Sequence, residues 1–544
     1  MPHQEMPHKQ FKKKAWEKAS NCLNLKTHII ENQFNNRCYM KIKSLLLTAV
    51  AALFSPFIFA ENAKPNVILI MADDLGWGDT GFNGSKVIKT PHLDQMAAEG
   101  LQLDRFYSAS SVCSPTRASV LTGRNPYRTG VPTANQGFLR PEEIVLPEVL
   151  KEQGYATGHF GKWHLGTLTH TEKDANRGKP GNTKEFNPPK LHGYEDAFVT
   201  ESKVPTYDPM IKPKKFDKGE SLKLGWEYVK ESEESEHYGT FYWDINGNKV
   251  TDNLKGDNSR VIMDRVLPFI DKAIDGKKPF FSVVWFHTPH LPCVAGPRHQ
   301  EMYKDHPIHL RNYAGCITAM DEQIGRLRKH LADKGVAGNT MIWFCSDNGP
   351  EDNDRPDNGS AGHFRGRKRD LYEGGVRVPA VMVWPAKVKE ARKISEPCIT
   401  SDYMPTILDA LGIPHPQPAY ATDGRSLMPI IDNEDFTRDK EIGIMFDKRI
   451  VWHKGDFKLL SYDGGKKYKL YNLVNDPSEK SDVAAKKPEL VEKLKKDMLA
   501  WHESVKNSYE GSEYGTKSLD RLGKSWSSPL SAKAKETKRK KEKK

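Results

Sequence analysis

A chain of 544 residues with 37% hydrophobic, 10% aromatic and 28% charged residues predicts a large globular core with a smaller one appended, and excludes a fibrous or wholly disordered protein. The net charge of +12 sits at the ends: Lys533 to Lys544 carry about half of it and residues 1–39 much of the rest. The body between is close to neutral, which excludes the basic folded surface that grips nucleic acid.

In chain order, residues 1–39 form a polar extension with no assigned role. Met40 to Lys43 then make a basic start to the apolar run Ser44 to Phe59, with Ala60 as the last residue before cleavage. That pattern predicts a signal peptide over 40–60, a mature chain from near Glu61, and export to the periplasm or beyond. The run is short and broken by Pro56, so no integral span is expected after cleavage. Val67 to Ile70 reads as a buried strand running into Asp73-Asp74, and Pro91 to Gly100 as a helix with a glycine stop. The stretch from Thr167 to Lys255 is rich in Pro, Lys, Gly and Asn and reads as an insertion of loops and short elements lining a pocket. Phe280 to Phe286 is a second strand, ending near His287 and His290. Asn312 to Lys334 is a long amphipathic helix, and Met341 to Cys345 is a third strand running into Asp347-Asn348-Gly349. Ala380 to Trp384 and the helix Ser401 to Leu411 follow. This alternation predicts an α/β domain over 61–431, with a large, mostly parallel sheet flanked by helices. From 432 the pattern changes to short strands (Ile450 to His453, Phe457 to Leu460) and a helix from Pro488, a C-terminal α+β subdomain over 432–510. A polar, lysine-rich tail spans 511–544.

Ligands of open parallel sheets bind beyond the carboxyl ends of the strands, and Asp73, Asp74, His290, Asp347 and Asn348 all follow such ends. Singly each has a blander reading, since paired aspartates and Asp-Asn-Gly also make turns and caps. Together, three carboxylates and an amide oxygen suit a hard cation, Ca²⁺ or Mg²⁺, and not zinc. Five cysteines follow the predicted cleavage point: Cys113, Cys293, Cys316, Cys345 and Cys398. The odd number suggests one thiol with a separate task, with disulfides open to the others.

Cys113 opens Cys113-Ser114-Pro115-Thr116-Arg117, a C-x-P-x-R pattern followed by Leu121-Thr122-Gly123-Arg124. This resembles the signature of type I sulfatases, members of the alkaline phosphatase superfamily, and in particular exported bacterial arylsulfatases and polysaccharide sulfatases. The resemblance implies an alkaline-phosphatase-like fold and oxidation of Cys113 to Cα-formylglycine by a maturation enzyme. It implies one Ca²⁺ held by Asp73, Asp74, Asp347, Asn348 and the group at 113. Gly161-Lys162-Trp163-His164-Leu165-Gly166 matches the second signature and brings in Lys162 and His164. His290-Leu291-Pro292 and Arg365-Gly366-Arg367-Lys368 match segments that face the sulfate with His290 and Lys368, and Tyr471-Asn472-Leu473 with Asp476-Pro477 resembles the usual C-terminal subdomain. In the implied mechanism Arg117, Lys162 and Lys368 balance sulfuryl charge, His290 or Lys368 protonates the leaving oxygen, and His164 takes the proton that lets sulfate go. His287 is expected to support these groups. The implied substrate is a sulfated carbohydrate, for which Tyr207, Trp226, Tyr228, Tyr242 and Trp243 offer aromatic faces unless they belong to the core. The alternative within the same superfamily is a phosphodiesterase or phosphonate monoester hydrolase.

Overall fold

The computed structural model describes residues 64–215, 226–351 and 359–514. The polar extension, the predicted signal peptide and most of the lysine-rich tail lie outside the described residues. No described helix is long and apolar enough to cross a membrane.

The large domain is built on a ten-stranded sheet. Its strands are β1 (Asn66–Ala72), β2 (Leu101–Leu103), β3 (Ala156–Lys162), β4 (Asp196–Thr200), β5 (Tyr242–Asp244), β6 (Lys249–Val250), β7 (Phe280–Trp285), β8 (Thr340–Ser346), β9 (Ala380–Val383) and β10 (Arg392–Ile394), in the order β10-β2-β9-β8-β1-β7-β3-β4-β5-β6. The five central strands, β8 to β4 in that order, are parallel. The predicted strand at 380 is present but antiparallel to β8, and the opposite edge closes with antiparallel β5 and β6. The short elements expected within 167–255 include β4, β5 and β6, which join the main sheet.

Continuous apolar runs form the centre because both faces are covered. Val67, Leu69 and Met71 of β1 face one layer while Ile68, Ile70 and Ala72 face the other. Helices α1 (Pro91–Glu99), α3 (Asn258–Asp275) and α4 (Ile308–Asp333) cover the second face through Met96, Ile270 and Met320. Helices α2 (Cys113–Thr122) and α5 (Tyr403–Ala410) cover the first through Val120, Leu121 and Ile407.

The C-terminal subdomain is an antiparallel four-stranded meander, β11 (Ile442–Phe446), β12 (Arg449–Lys454), β13 (Phe457–Ser461) and β14 (Lys469–Asn472), with helix α6 (Pro488–Tyr509). Period-two alternation sends Ile450, Trp452 and Leu459 toward Leu494, Met498 and Val505 of α6. Val451 and Leu460 point the other way, onto Tyr107, Leu371 and Val376 of the large domain. A fully buried charge cluster crosses that junction: Lys458 Nζ lies 3.0 Å from Glu373 Oε1 and 2.9 Å from Glu479 Oε1. Glu479 Oε2 also accepts from the Glu373 backbone N–H at 2.6 Å.

The end of α6 meets three buried arginines that follow α2. Arg124 donates to Glu143 at 2.8 Å and also bonds Glu513, Arg128 donates to Asp423 at 2.9 Å and Ser508 Oγ at 2.8 Å, and Arg140 donates to the Ser508 carbonyl at 2.9 Å. The five described cysteines are all buried free thiols, so the disulfides left open by the sequence are not formed among them.

Candidate active site

Each predicted site residue sits at the carboxyl rim of the central strands. Asp73 and Asp74 leave β1, with Asp74 in the left-handed region at φ 67°. The Asp73 N–H donates to the Thr288 carbonyl (2.9 Å) and the Asp347 N–H to the Ala72 carbonyl (3.1 Å), so the loops after β1, β7 and β8 are tied together. Lys162 ends β3 just after Gly161, where a Cβ would lie 2.0 Å from the Trp285 carbonyl oxygen and φ is 102°. Only glycine lets β3 lie this close to β7. Cys113 is the first residue of α2 and only 3% exposed.

The geometry alternates cations and carboxylates. Lys162 Nζ lies 2.6 Å from Asp73 Oδ2, Lys368 Nζ 2.6 Å from Asp74 Oδ2, and Arg117 Nη2 2.7 Å from Asp347 Oδ2. The Arg117 guanidinium also stacks 5.1 Å from the Trp285 ring. Asn348 Nδ2 donates to Asp74 Oδ1 at 2.7 Å, and the Asp74 N–H donates to Asp347 Oδ1 at 3.1 Å. Cys113 Sγ faces His164 Nδ1 at 3.3 Å. His290 Nδ1–H donates to the Leu291 carbonyl (2.7 Å), which turns Nε2 toward Asp74 Oδ2 at 3.6 Å.

Burial shapes these groups as acids and bases. It would raise Asp73, but Lys162, Arg117 and Lys368 hold that carboxyl well below its usual range. Asp347 is pushed up to about 7 by burial and by the charge on Asp73. Burial keeps both imidazoles neutral, carrying His164 well below its ordinary value and His290 down to about 4. Burial also pushes the Cys113 thiol up, so the unmodified side chain is a poor thiolate.

The donor set fits a hard cation. Asp73 Oδ1 and Asn348 Oδ1 are buried oxygens that accept no hydrogen bond, and buried acceptors without donors are rare. Donor atoms of Asp73, Cys113 and Asp347 lie within 4.8 Å of one another, as do those of Asp73, Asp74 and His290. All nine residues singled out by motif are thus brought together with Cys113 in one place. His287 stands behind them, its ring nitrogens 2.8 Å from Thr200 Oγ1 and 3.0 Å from Asn258 Nδ2.

Several neighbours escape sequence reasoning. Glu351 Oε2 receives Lys368 Nζ at 3.0 Å, and Asn135 Oδ1 lies 2.8 Å from His164 Nε2. Neither falls in a motif; for Glu351 the only available signal was its place two residues after Asp347-Asn348-Gly349. Two of the aromatic residues with a possible sugar-binding role prove to be core: Tyr242 is fully buried and stacked 3.9 Å from the Phe198 ring, and Trp243 is buried with its indole N–H on Asp174. Tyr207, Trp226 and Tyr228 are half-buried.

A rim of this kind, with imidazoles and fixed cations around a helix-opening cysteine, has the charges to hold an ester of a tetrahedral oxyanion. The chain belongs to the sulfatase family: the model described as Sulfatase matches residues 65–413, and the one described as N-sulphoglucosamine sulphohydrolase, C-terminal, matches residues 359–504. It is similar to the N-acetylgalactosamine-6-sulfatase of Canis lupus familiaris (30% identical over 410 residues, 72% of this chain and 69% of the relative). It is similar also to the steryl-sulfatase of Mus musculus (29% over 486 residues, 76% of this chain and 74% of the relative). Among solved structures, Ps i-CgsB in complex with k-i-k-neocarrahexaose aligns with a TM-score of 0.67 and 25% identity, covering 85% of this chain and 100% of that one. The protein is therefore an enzyme that hydrolyses sulfate esters.

Proposed function

We propose that this sulfatase is calcium-dependent, acts on a sulfated polysaccharide or its oligosaccharides, and works through a formylglycine made from Cys113 by a maturation enzyme. One observation carries the reading: Cys113 opens α2 inside the acid and cation cluster, within 3.3 Å of a neutral imidazole. The complex of the similar Ps i-CgsB with a neocarrahexaose supports a carbohydrate substrate. The same reading takes 40–60 as a signal peptide of an exported enzyme, 61–431 as its catalytic domain, 432–510 as the C-terminal subdomain and 511–544 as a tail.

Asp73, Asp74, Asp347 and Asn348, with the group at 113, would hold one Ca²⁺, which when bound supplies a Lewis acid for an oxygen nucleophile and for a sulfuryl oxygen. An aldehyde at 113 supplies, as its hydrate, one hydroxyl to attack sulfur and a second whose proton is lost as sulfate departs; Sγ stands where such an oxygen would sit. The chain's own groups do the rest. Arg117, Lys162 and Lys368 offset charge on the sulfuryl oxygens. Lys368 delivers a proton to the leaving alcohol, since a neutral His290 whose Nδ1–H is held by the Leu291 carbonyl has none to give from Nε2, and His164 Nδ1 removes the proton from the second hydroxyl.

Protein from an exporting host that oxidises Cys113 should show an aldehyde by mass spectrometry of the peptide containing that residue. It should also favour an aryl sulfate over aryl phosphate diesters and phosphonates in kcat/KM. A preference for the phosphorus ester in matured protein removes the proposed specificity. The cation has its own readout: chelation should lower the melting temperature and added Ca²⁺ restore it, with stabilisation of about 2.7 kcal/mol when the ion is a hundredfold above its Kd. A melt that ignores both treatments removes the cation from this site.

A further inference from the structure

His164 is held from behind by residues that no signature contains. Its Nδ1 faces Cys113 Sγ at 3.3 Å, and its Nε2 lies 2.8 Å from Asn135 Oδ1. An amide oxygen only accepts hydrogen bonds. A neutral imidazole facing it therefore carries its proton on Nε2 and presents the bare lone pair of Nδ1 to Cys113.

Asn135 is itself fixed. Asn176 Nδ2 donates to the same Oδ1 at 2.9 Å and to Ser202 Oγ at 3.0 Å, so the amide oxygen, and not its nitrogen, is the atom turned toward these donors. Next to Asn176, Arg177 is 6% exposed and donates through Nη1 to the Gly137 carbonyl at 2.8 Å, which pins the Asn135 loop. Glu201 closes the arrangement: its Oε1 accepts from the Arg177 N–H at 3.0 Å, while its carbonyl accepts from the His164 N–H at 2.9 Å. Behind them the Asp174–Gly178 turn is held by two 3.0 Å backbone bonds, and Asp174 accepts from Thr240 Oγ1 and Trp243 Nε1, both at 2.8 Å. The 167–255 stretch thus forms a bracket that runs from the edge of the main sheet to the imidazole.

We propose that Asn135 is a positioning residue that keeps His164 in the Nε2–H tautomer, with Nδ1 directed at Cys113, and that Asn176 and Arg177 hold it there. The proposal rests on the sulfatase chemistry above for its kinetic consequence. In that chemistry His164 Nδ1 takes the proton from the hydroxyl on the carbon derived from Cys113. The C=O bond re-forms, the C–O bond to sulfate breaks, and its electron pair leaves with the sulfate dianion. A ring in the other tautomer has no lone pair at Nδ1 and cannot do this.

The backbone offers a clean test. Asn135 is exposed with φ 60°, a conformation that glycine adopts without strain and that asparagine and aspartate tolerate. Asn135→Gly therefore removes the amide without distorting the loop, and Asn135→Asp keeps an accepting oxygen at the same reach.

The first readout needs no turnover. Protein from a host that leaves Cys113 unmodified is labelled with ¹⁵N-histidine, and the His164 ring is assigned by its loss in His164→Gln. Wild type is expected to show protonated Nε2 and bare Nδ1, and Asn135→Gly a mixture of tautomers. In matured protein, Asn135→Gly is expected to lower kcat about tenfold or more. KM should fall with it and kcat/KM hold, because the affected step follows release of the alcohol. Asn135→Asp should recover most of kcat. A wild-type His164 protonated on Nδ1, or an Asn135→Gly variant with unchanged tautomer and kcat, overturns the positioning role. Absence of aryl sulfate turnover by matured wild type instead overturns the functional reading, and leaves the tautomer result to be judged by itself.

Discussion

Replacing Cys113 with alanine is expected to abolish sulfate ester hydrolysis while the protein still folds. The proposed chemistry puts both the attacking oxygen and the proton-losing oxygen on this one residue, so no partial function survives its loss. Removing a nucleophile that acts as a unit with its base costs on the order of 10⁴-fold or more in kcat. The structural cost is small by comparison. The thiol is buried at the first turn of α2, and its polar contact is the one to His164. Steady-state turnover of an aryl sulfate, read beside a thermal melt, checks both halves. Residual kcat within about tenfold of wild type would show that another group attacks the sulfur.

Lys458→Met is expected to cost about 3–5 kcal/mol in unfolding free energy, a large part of the stability of an ordinary domain. The ammonium lies between Glu373 and Glu479, and all three side chains are excluded from water. Methionine fills similar volume but takes the shared cation from two buried carboxylates, leaving Glu373 the longer 3.5 Å pair with Arg377 and Glu479 facing it. The effect should also reach the active site. Glu479 accepts from the Glu373 N–H, and Gly374 donates to the Arg365 carbonyl at 2.7 Å, so the cluster braces the segment that carries Lys368. Denaturant unfolding measures the first effect and KM for an aryl sulfate the second. A loss below about 1 kcal/mol, the usual worth of an exposed pair, would mean that water reaches the cluster.

Much of this architecture was legible in the chain. Val67 to Ile70, Phe280 to Phe286 and Met341 to Cys345 are apolar at every position but Ser282 because each strand is covered on both faces, and that leaves a signal no turn can imitate. The site was legible for a related reason: parallel strands deliver their next residues to one rim, so Asp73, His290 and Asp347 could be grouped without knowing the sheet order. What stayed hidden depends on contacts between distant segments. The direction of β9 is set by its neighbours and not by its composition. Asp196 to Thr200 joins the sheet only because β3 offers it an edge. Asn135, Asn176 and Arg177 lie in polar turns whose sequence resembles that of any loop, and their meaning comes from an imidazole that the turns happen to cover. Tyr242 and Trp243 look alike on the page as sugar platforms or core; packing on Phe198 and Asp174 decides for core.

The arginines behind α2 also impose an order of events in time. Arg124 leaves the ribosome soon after Cys113, yet its partners Ser508 and Glu513 are 384 and 389 residues further along the chain. The segment that follows the helix begun by Cys113 therefore cannot complete its contacts until residues 508–513 have been made. Throughout that interval Cys113 lies in an unfinished wall. For the maturation proposed above, this is the period in which a second protein can handle the thiol, before α6 arrives to fix the arginines behind its helix.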